Sequence, residues 1–134
     1  MKNKNFVDGT LCYIHFGKTY NGEINNEHLA VLYNINGVDN VVFAIPLTSP
    51  KLKHFRTEKD YIDRNHVGVK FLRLHYIRQT DSIALLEQIK SISKERITGY
   101  YKDADGKIVI LNEKEQSLLK KIVKKYIDYI LYKN

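Results

Sequence analysis

Apolar residues in the first half of the chain come in short runs separated by polar segments, the pattern of β-strands. Leu11 to Phe16 is apolar and aromatic and predicts a first strand. Lys18 to Glu27 is polar, carries the turn signal Asn21-Gly22, and predicts a loop. His28 to Ile35 predicts a second strand, and Asn36-Gly37 is a hairpin turn signal. Asn40 to Leu47 predicts a third, whose near-continuous run Val41-Val42-Phe43-Ala44-Ile45 indicates burial on both faces. Pro46 lacks an N–H, so regular pairing is expected to stop about there. Residues 48–66 form a long basic loop. Val67 to Leu74 and Ser82 to Leu86 predict further strands, and Tyr100 to Leu111, which contains Asp105-Gly106, predicts a hairpin or a turn before a short strand.

The period then changes. Leu118, Leu119, Ile122, Val123, Tyr126, Ile127, Ile130 and Leu131 recur at helical spacing on one stripe, with Lys120, Lys121, Lys124 and Lys125 off its centre. Asn112 followed by Glu115 is a capping-box pattern and fixes the start of this helix. The stripe reads as core, with a dimer face as the alternative. The expected class is α+β: a compact β-barrel or strongly bent antiparallel sheet with a C-terminal helix, one domain over residues 1–134.

Composition narrows the picture. At 43% hydrophobic and 28% charged, the chain has the make-up of a globular protein. No apolar run is long enough to span a bilayer, and the basic N-terminus lacks the apolar stretch of a signal peptide, so a cytoplasmic protein without a membrane partner is expected. The single Cys12 forms no internal disulfide, which fits a reducing compartment. The net charge of +7 is uneven: residues 51–78 carry eight Lys/Arg against three Asp/Glu, and residues 113–134 six against three. Such a concentration of basic residues favours contacts with phosphates.

The leading chemical constellation is Thr48-Ser49-Pro50-Lys51-Leu52-Lys53-His54. Two hydroxyls at a strand end can be held rigidly against a phosphate. The lysines neutralise phosphate charge, and a histidine moves a proton near neutral pH. RNA cleavage needs little more, because the substrate's 2′-OH supplies the nucleophile; the protein deprotonates it, stabilises the phosphorane and protonates the leaving oxygen. His28 is the second candidate, at a loop-to-strand junction. The catalytic candidates are therefore Thr48, Ser49, Lys51 and His28. Lys18, Tyr20, Lys53, His54 and Arg78 are candidates for RNA contacts, Tyr20 because aromatics near lysines stack on unpaired bases. The bland alternatives are that Thr48 and Ser49 cap a turn and that His28 is a surface histidine. The five histidines and one cysteine lack metal-ligand spacing, and there is no Walker loop or dinucleotide fingerprint, so no metal and no cofactor is expected.

Two stretches resemble the PemK/MazF-type toxin family. One runs from Gly9 to Pro50 and contains Gly22-Glu23, His28-Leu29-Ala30-Val31-Leu32 and Ala44-Ile45-Pro46-Leu47-Thr48-Ser49. The other is the run from Asp81 to Ile97, similar to the family's strand of acid, Gln, hydrophobic, basic, Ser/Thr and Ile. The resemblance implies an SH3-like barrel and an endoribonuclease that leaves 2′,3′-cyclic phosphate and 5′-hydroxyl ends. Thr48 matches the family's catalytic threonine. His28 stands where the family carries an arginine, which would leave Lys51 or Lys18 to stabilise the phosphorane. Glu87 and Gln88 match residues near the family's RNA-binding face. The segment from Pro46 to His54 also looks like the ToxN/AbiQ relatives, which share the barrel and are inhibited by a small repeat RNA.

The implied partners are single-stranded RNA and a cognate antitoxin, either a structured repeat RNA, slightly favoured by the basic segment 51–78, or an acidic protein. A homo-oligomer or a toxin–RNA assembly is a further possibility. Two other classes compete: a non-catalytic nucleic-acid-binding barrel, and a protein-interaction module using the helix stripe.

Overall fold

The computed structural model describes residues 6–17, 27–33, 41–49, 71–77 and 80–132. The Asn21-Gly22 and Asn36-Gly37 turn signals, nearly all of the basic loop, and the start of the strand expected from Val67 lie outside the described residues. Seven strands and one long helix make up the described fold: β1 (Leu11–His15), β2 (Glu27–Tyr33), β3 (Val41–Thr48), β4 (Phe71–Ile77), β5 (Thr80–Leu85), β6 (Lys90–Ser93), β7 (Ile97–Tyr100) and α1 (Glu113–Tyr132). All the strand pairings are antiparallel, and the class is α+β. β1 ends before Gly17, whose φ of 79° suits glycine and disfavours residues with a Cβ.

The sheet path runs β4-β5-β3-β2-β1-β7, with β6 also paired to β3. Among the described residues no ladder joins β4 to β7, so this path stays open. It is nevertheless strongly bent. β6 and β7 lie at opposite ends of the strand path β6-β3-β2-β1-β7, yet only the 3-10 turn Lys94–Arg96 separates them. That connection reaches at most about 14 Å, whereas a flat sheet would put at least roughly 19 Å between those two strands. The sheet must curl until its edges approach at this corner.

The curl explains why the central strands are apolar on both faces, as the run in β3 predicts. Alternate residues feed two clusters. Cys12, Ile14, Ala30, Leu32, Val42 and Ala44 pack with Phe6, Ile92 and Ile97. Leu11, Leu29, Val31, Ile45 and Leu47 pack with Ala84, Leu86 and Leu111 and with Leu119, Ile122 and Val123 of α1. Phe43, 38% exposed, is the exception in β3. Cys12 is wholly buried, and burial pushes its thiol up to about 12, so it stays protonated and unreactive at neutral pH.

The helix starts as its sequence predicts. The Glu115 backbone N–H donates to Asn112 Oδ1 at 2.8 Å, and the Asn112 N–H donates to Glu115 Oε1 at 3.3 Å. Both arms of a capping box are present. Asn112→Ala is expected to lower stability by about 1 kcal/mol, measurable as a reduced urea midpoint with unchanged slope. The turn within Tyr100 to Leu111 also forms: the Gly106 N–H donates to the Asp103 carbonyl, and Lys102 bridges Ile108. The short strands β6 and β7 carry too few residues for a local pattern; β7 is absent from the expected elements.

One expectation needs correction. The helix stripe is core only in part: Leu119, Ile122 and Val123 are buried, whereas Ile127, Ile130 and Leu131 are exposed. Helical period defines a face but not how far the sheet beneath it extends. Pairing with β2 stops at Pro46, as expected, and β3 runs one residue past the expected end, to Thr48, by exchanging neighbours on its other edge. Val41 to Ala44 pair with β6, and Leu47 and Thr48 pair with β5. Ile45 and Pro46 fall in the gap between those two ladders, where the second neighbour of β3 changes. No helix among the described residues is long and apolar enough to cross a membrane.

Candidate functional site

The exchange of neighbours in β3 builds a cleft. Ala30↔Pro46 is the last register pair joining β2 to β3. Two residues beyond it along each strand lie His28 and Thr48, where β3 has left β2 and joined β5. A side-chain bond replaces the missing ladder: His28 Nε2 donates to the Leu47 carbonyl at 2.6 Å. The splayed strand ends open a cleft of about 320 Å³ lined by Tyr13, Glu27, His28, Leu29, Leu47, Thr48 and Ser49. That volume is at the lower end of those that hold small ligands.

The hydrogen bond fixes the chemistry of the histidine. A carbonyl oxygen only accepts, so Nε2 carries the proton. In the neutral ring the lone pair then sits on Nδ1, which has no hydrogen-bond partner among the described residues. His28 is half-buried, Thr48 half-buried and Ser49 exposed, so a ligand can reach both hydroxyls. Leu29 and Leu47, both buried, make an apolar floor continuous with the cluster beneath α1.

The other wall comes from distant parts of the chain. The Thr98 hydroxyl on β7 donates to Glu27 Oε2 at 2.7 Å and lies 3.2 Å from the Tyr13 carbonyl oxygen. One proton serves one short bond well, so the carboxylate takes it and the carbonyl contact is secondary. The Tyr13 ring is braced edge-on by Tyr101, with centroids 6.3 Å apart and planes at 60°.

Of the residues singled out in the sequence, the structure brings His28, Thr48 and Ser49 to one cleft. Glu87 and Gln88 lie in the 3-10 turn Leu86–Gln88 after β5, on the edge of β3 away from β2, and do not line the cleft. Lys18, Tyr20, Lys51, Lys53, His54 and Arg78 lie outside the described residues. Tyr13, Glu27 and Thr98 were missed by sequence reasoning. Their convergence depends on β1 lying between β2 and β7, which no local pattern encodes.

A second depression of about 270 Å³ lies by the N-terminal turns of α1, lined by Asp8, Gly9, Tyr33, Glu113, Gln116, Ser117, Leu119 and Lys120. Burial, and then the negative charge of Asp8, raise the Tyr33 phenol above its ordinary value. Asp8 and Glu113 against Lys120 give the lining of this depression the same formal charge as Glu27 gives the cleft, and it lacks a histidine. Among the described residues no three His, Cys, Asp or Glu side chains converge as a metal site. Compared with models of known families and with curated proteins, the sequence matches none.

Proposed function

We propose that this chain is the toxin of a toxin–antitoxin pair: a metal-independent endoribonuclease that cuts single-stranded RNA by 2′-OH attack, leaving 2′,3′-cyclic phosphate and 5′-hydroxyl ends. The observation that carries the reading is the pairing of an oriented histidine with two accessible hydroxyls at one strand splay. Nδ1 of His28 takes the 2′-OH proton, and the imidazolium that forms keeps its Nε2–H on the Leu47 carbonyl, a bond that strengthens with the charge. Thr48 and Ser49 donate to the phosphate oxygens as negative charge develops. Lys51 or Lys18 supplies the fixed positive charge that histidine lacks in its neutral form, and its ammonium gives a proton to the leaving 5′-oxygen as the P–O5′ bond breaks.

The bent sheet whose outer strands β6 and β7 meet at a 3-10 corner supports a closed SH3-like barrel of the PemK/MazF and ToxN/AbiQ kind. The curl stands beside the sequence resemblance and is independent of it. A cytoplasmic location and an antitoxin that is a structured RNA, in preference to an acidic protein, complete the reading; the basic segment 51–78 supports the RNA.

The test is to incubate the purified chain with a long RNA in EDTA and map the ends. Discrete cuts with cyclic phosphate termini are expected. Thr48→Ala is expected to reduce the rate by about a hundredfold or more while circular dichroism stays unchanged. RNA that is bound but left intact would replace this reading with a non-catalytic nucleic-acid-binding barrel.

A further inference from the structure

Glu27 sets a problem for any site that receives RNA. A carboxylate on the wall of such a cleft repels phosphate, so its presence needs a partner rich in donors. The Thr98 hydroxyl holds Oε2 from one side, while Oε1 has no partner among the described residues. The carboxylate is thus oriented with acceptor capacity to spare. Tyr13, braced by Tyr101, lines the same cleft and offers an aromatic surface. An oriented acceptor pair beside an aromatic ring is a site for a flat ligand with adjacent donors.

Among the four RNA bases, only guanine presents two donors side by side, N1–H and N2–H, on its Watson–Crick edge. Adenine and cytosine each set an acceptor beside their amino group, and uracil flanks its single N–H with two carbonyls. A carboxylate facing those edges meets a lone pair as well as a donor, which is repulsive. We propose that Glu27 reads a guanine base next to the scissile phosphate, with Tyr13 as its stacking surface and Thr98 as the positioning residue that orients the carboxylate. This rests on the ribonuclease reading of the cleft and adds a base preference to it.

The experiment uses DNA oligonucleotides containing one ribonucleotide, so that only one 2′-OH can attack. The base at that nucleotide, and separately the base on its 3′ side, is varied among guanine, hypoxanthine, adenine, cytosine and uracil. At one of these two positions the parent protein is expected to cut the guanine substrate about tenfold faster than the hypoxanthine one, which lacks only the 2-amino group. Glu27→Gln exchanges one acceptor for a donor and is expected to move the preference from guanine toward adenine. Thr98→Val leaves the carboxylate in place but frees it, and is expected to weaken the guanine preference without redirecting it. Equal rates on guanine and hypoxanthine in the parent, or an undiminished guanine preference in Glu27→Gln, would overturn the proposal while leaving the ribonuclease reading standing. A parent protein that cuts neither these substrates nor a long RNA would overturn both.

Discussion

Replacing His28 by glutamine is expected to leave the fold intact and to lower RNA cleavage by about a hundredfold or more. The argument is geometric. In the proposed mechanism His28 does two jobs through two nitrogens: Nε2–H holds the Leu47 carbonyl at the point where β2 and β3 separate, and Nδ1 acts as the base. A glutamine side chain places an amide N–H at nearly the reach of Nε2, so the structural bond survives. It has no lone pair able to take a proton. His28→Ala removes both functions. It leaves the Leu47 carbonyl without its side-chain donor, and an added stability loss of about 1 kcal/mol is expected. Single-turnover rates on one RNA, measured beside urea melts of the three proteins, separate the two jobs. Imidazole added to the alanine variant should restore part of the rate, because it can enter the vacated space and act as the base. A glutamine variant that cuts within about threefold of the parent, well short of the usual contribution of a general base, would remove His28 from the chemistry.

What could be foreseen from the sequence divides along a physical line. Short-range patterns were legible. Asn112 and Glu115 are three residues apart, and their two hydrogen bonds form as the sequence implies. The apolar run in β3 was legible as a strand buried on both faces: Val42 and Ala44 enter one cluster and Ile45 and Leu47 the other, with Phe43 the exposed exception. The hydroxyls of Thr48 and Ser49 were visible as chemistry, and Pro46 was visible as an obstacle to pairing. What the proline does was not visible. It sits where β3 passes from β6 to β5, and the strand continues because a new neighbour takes over. The contact between Glu27 and Thr98 spans a sequence separation of 71 residues, and Thr98 to Tyr13 spans 85. Such contacts follow from strand order and register, which are properties of the whole sheet.

The largest expected loss of stability comes from Leu119. Leu119→Ala should cost about 3 kcal/mol and lower the melting temperature by about 10 °C, whereas Ile127→Ala should cost under about 1 kcal/mol. Both residues lie on the same helical stripe and would be equivalent by periodicity. They differ in what lies beneath them: Leu119 is 1% exposed and packs in the cluster of Leu11, Leu29, Val31 and Leu47, whereas Ile127 is 46% exposed. Only three α1 residues are buried, Leu119, Ile122 and Val123, so removing one leaves a cavity in a narrow contact that cannot easily repack. The effect should reach the cleft as well. Leu29 and Leu47 belong to the cluster that receives Leu119, and both line the space beside His28 and Thr48. Loosening that floor shifts the Leu47 carbonyl, and with it the histidine ring bonded to it. Leu119→Ala is therefore expected to reduce cleavage several-fold even at temperatures where the variant remains fully folded, and Ile127→Ala to leave it unchanged. Equal denaturant midpoints for the two variants would mean that α1 does not seal this face of the sheet, and the link between helix packing and cleft geometry would fail with it.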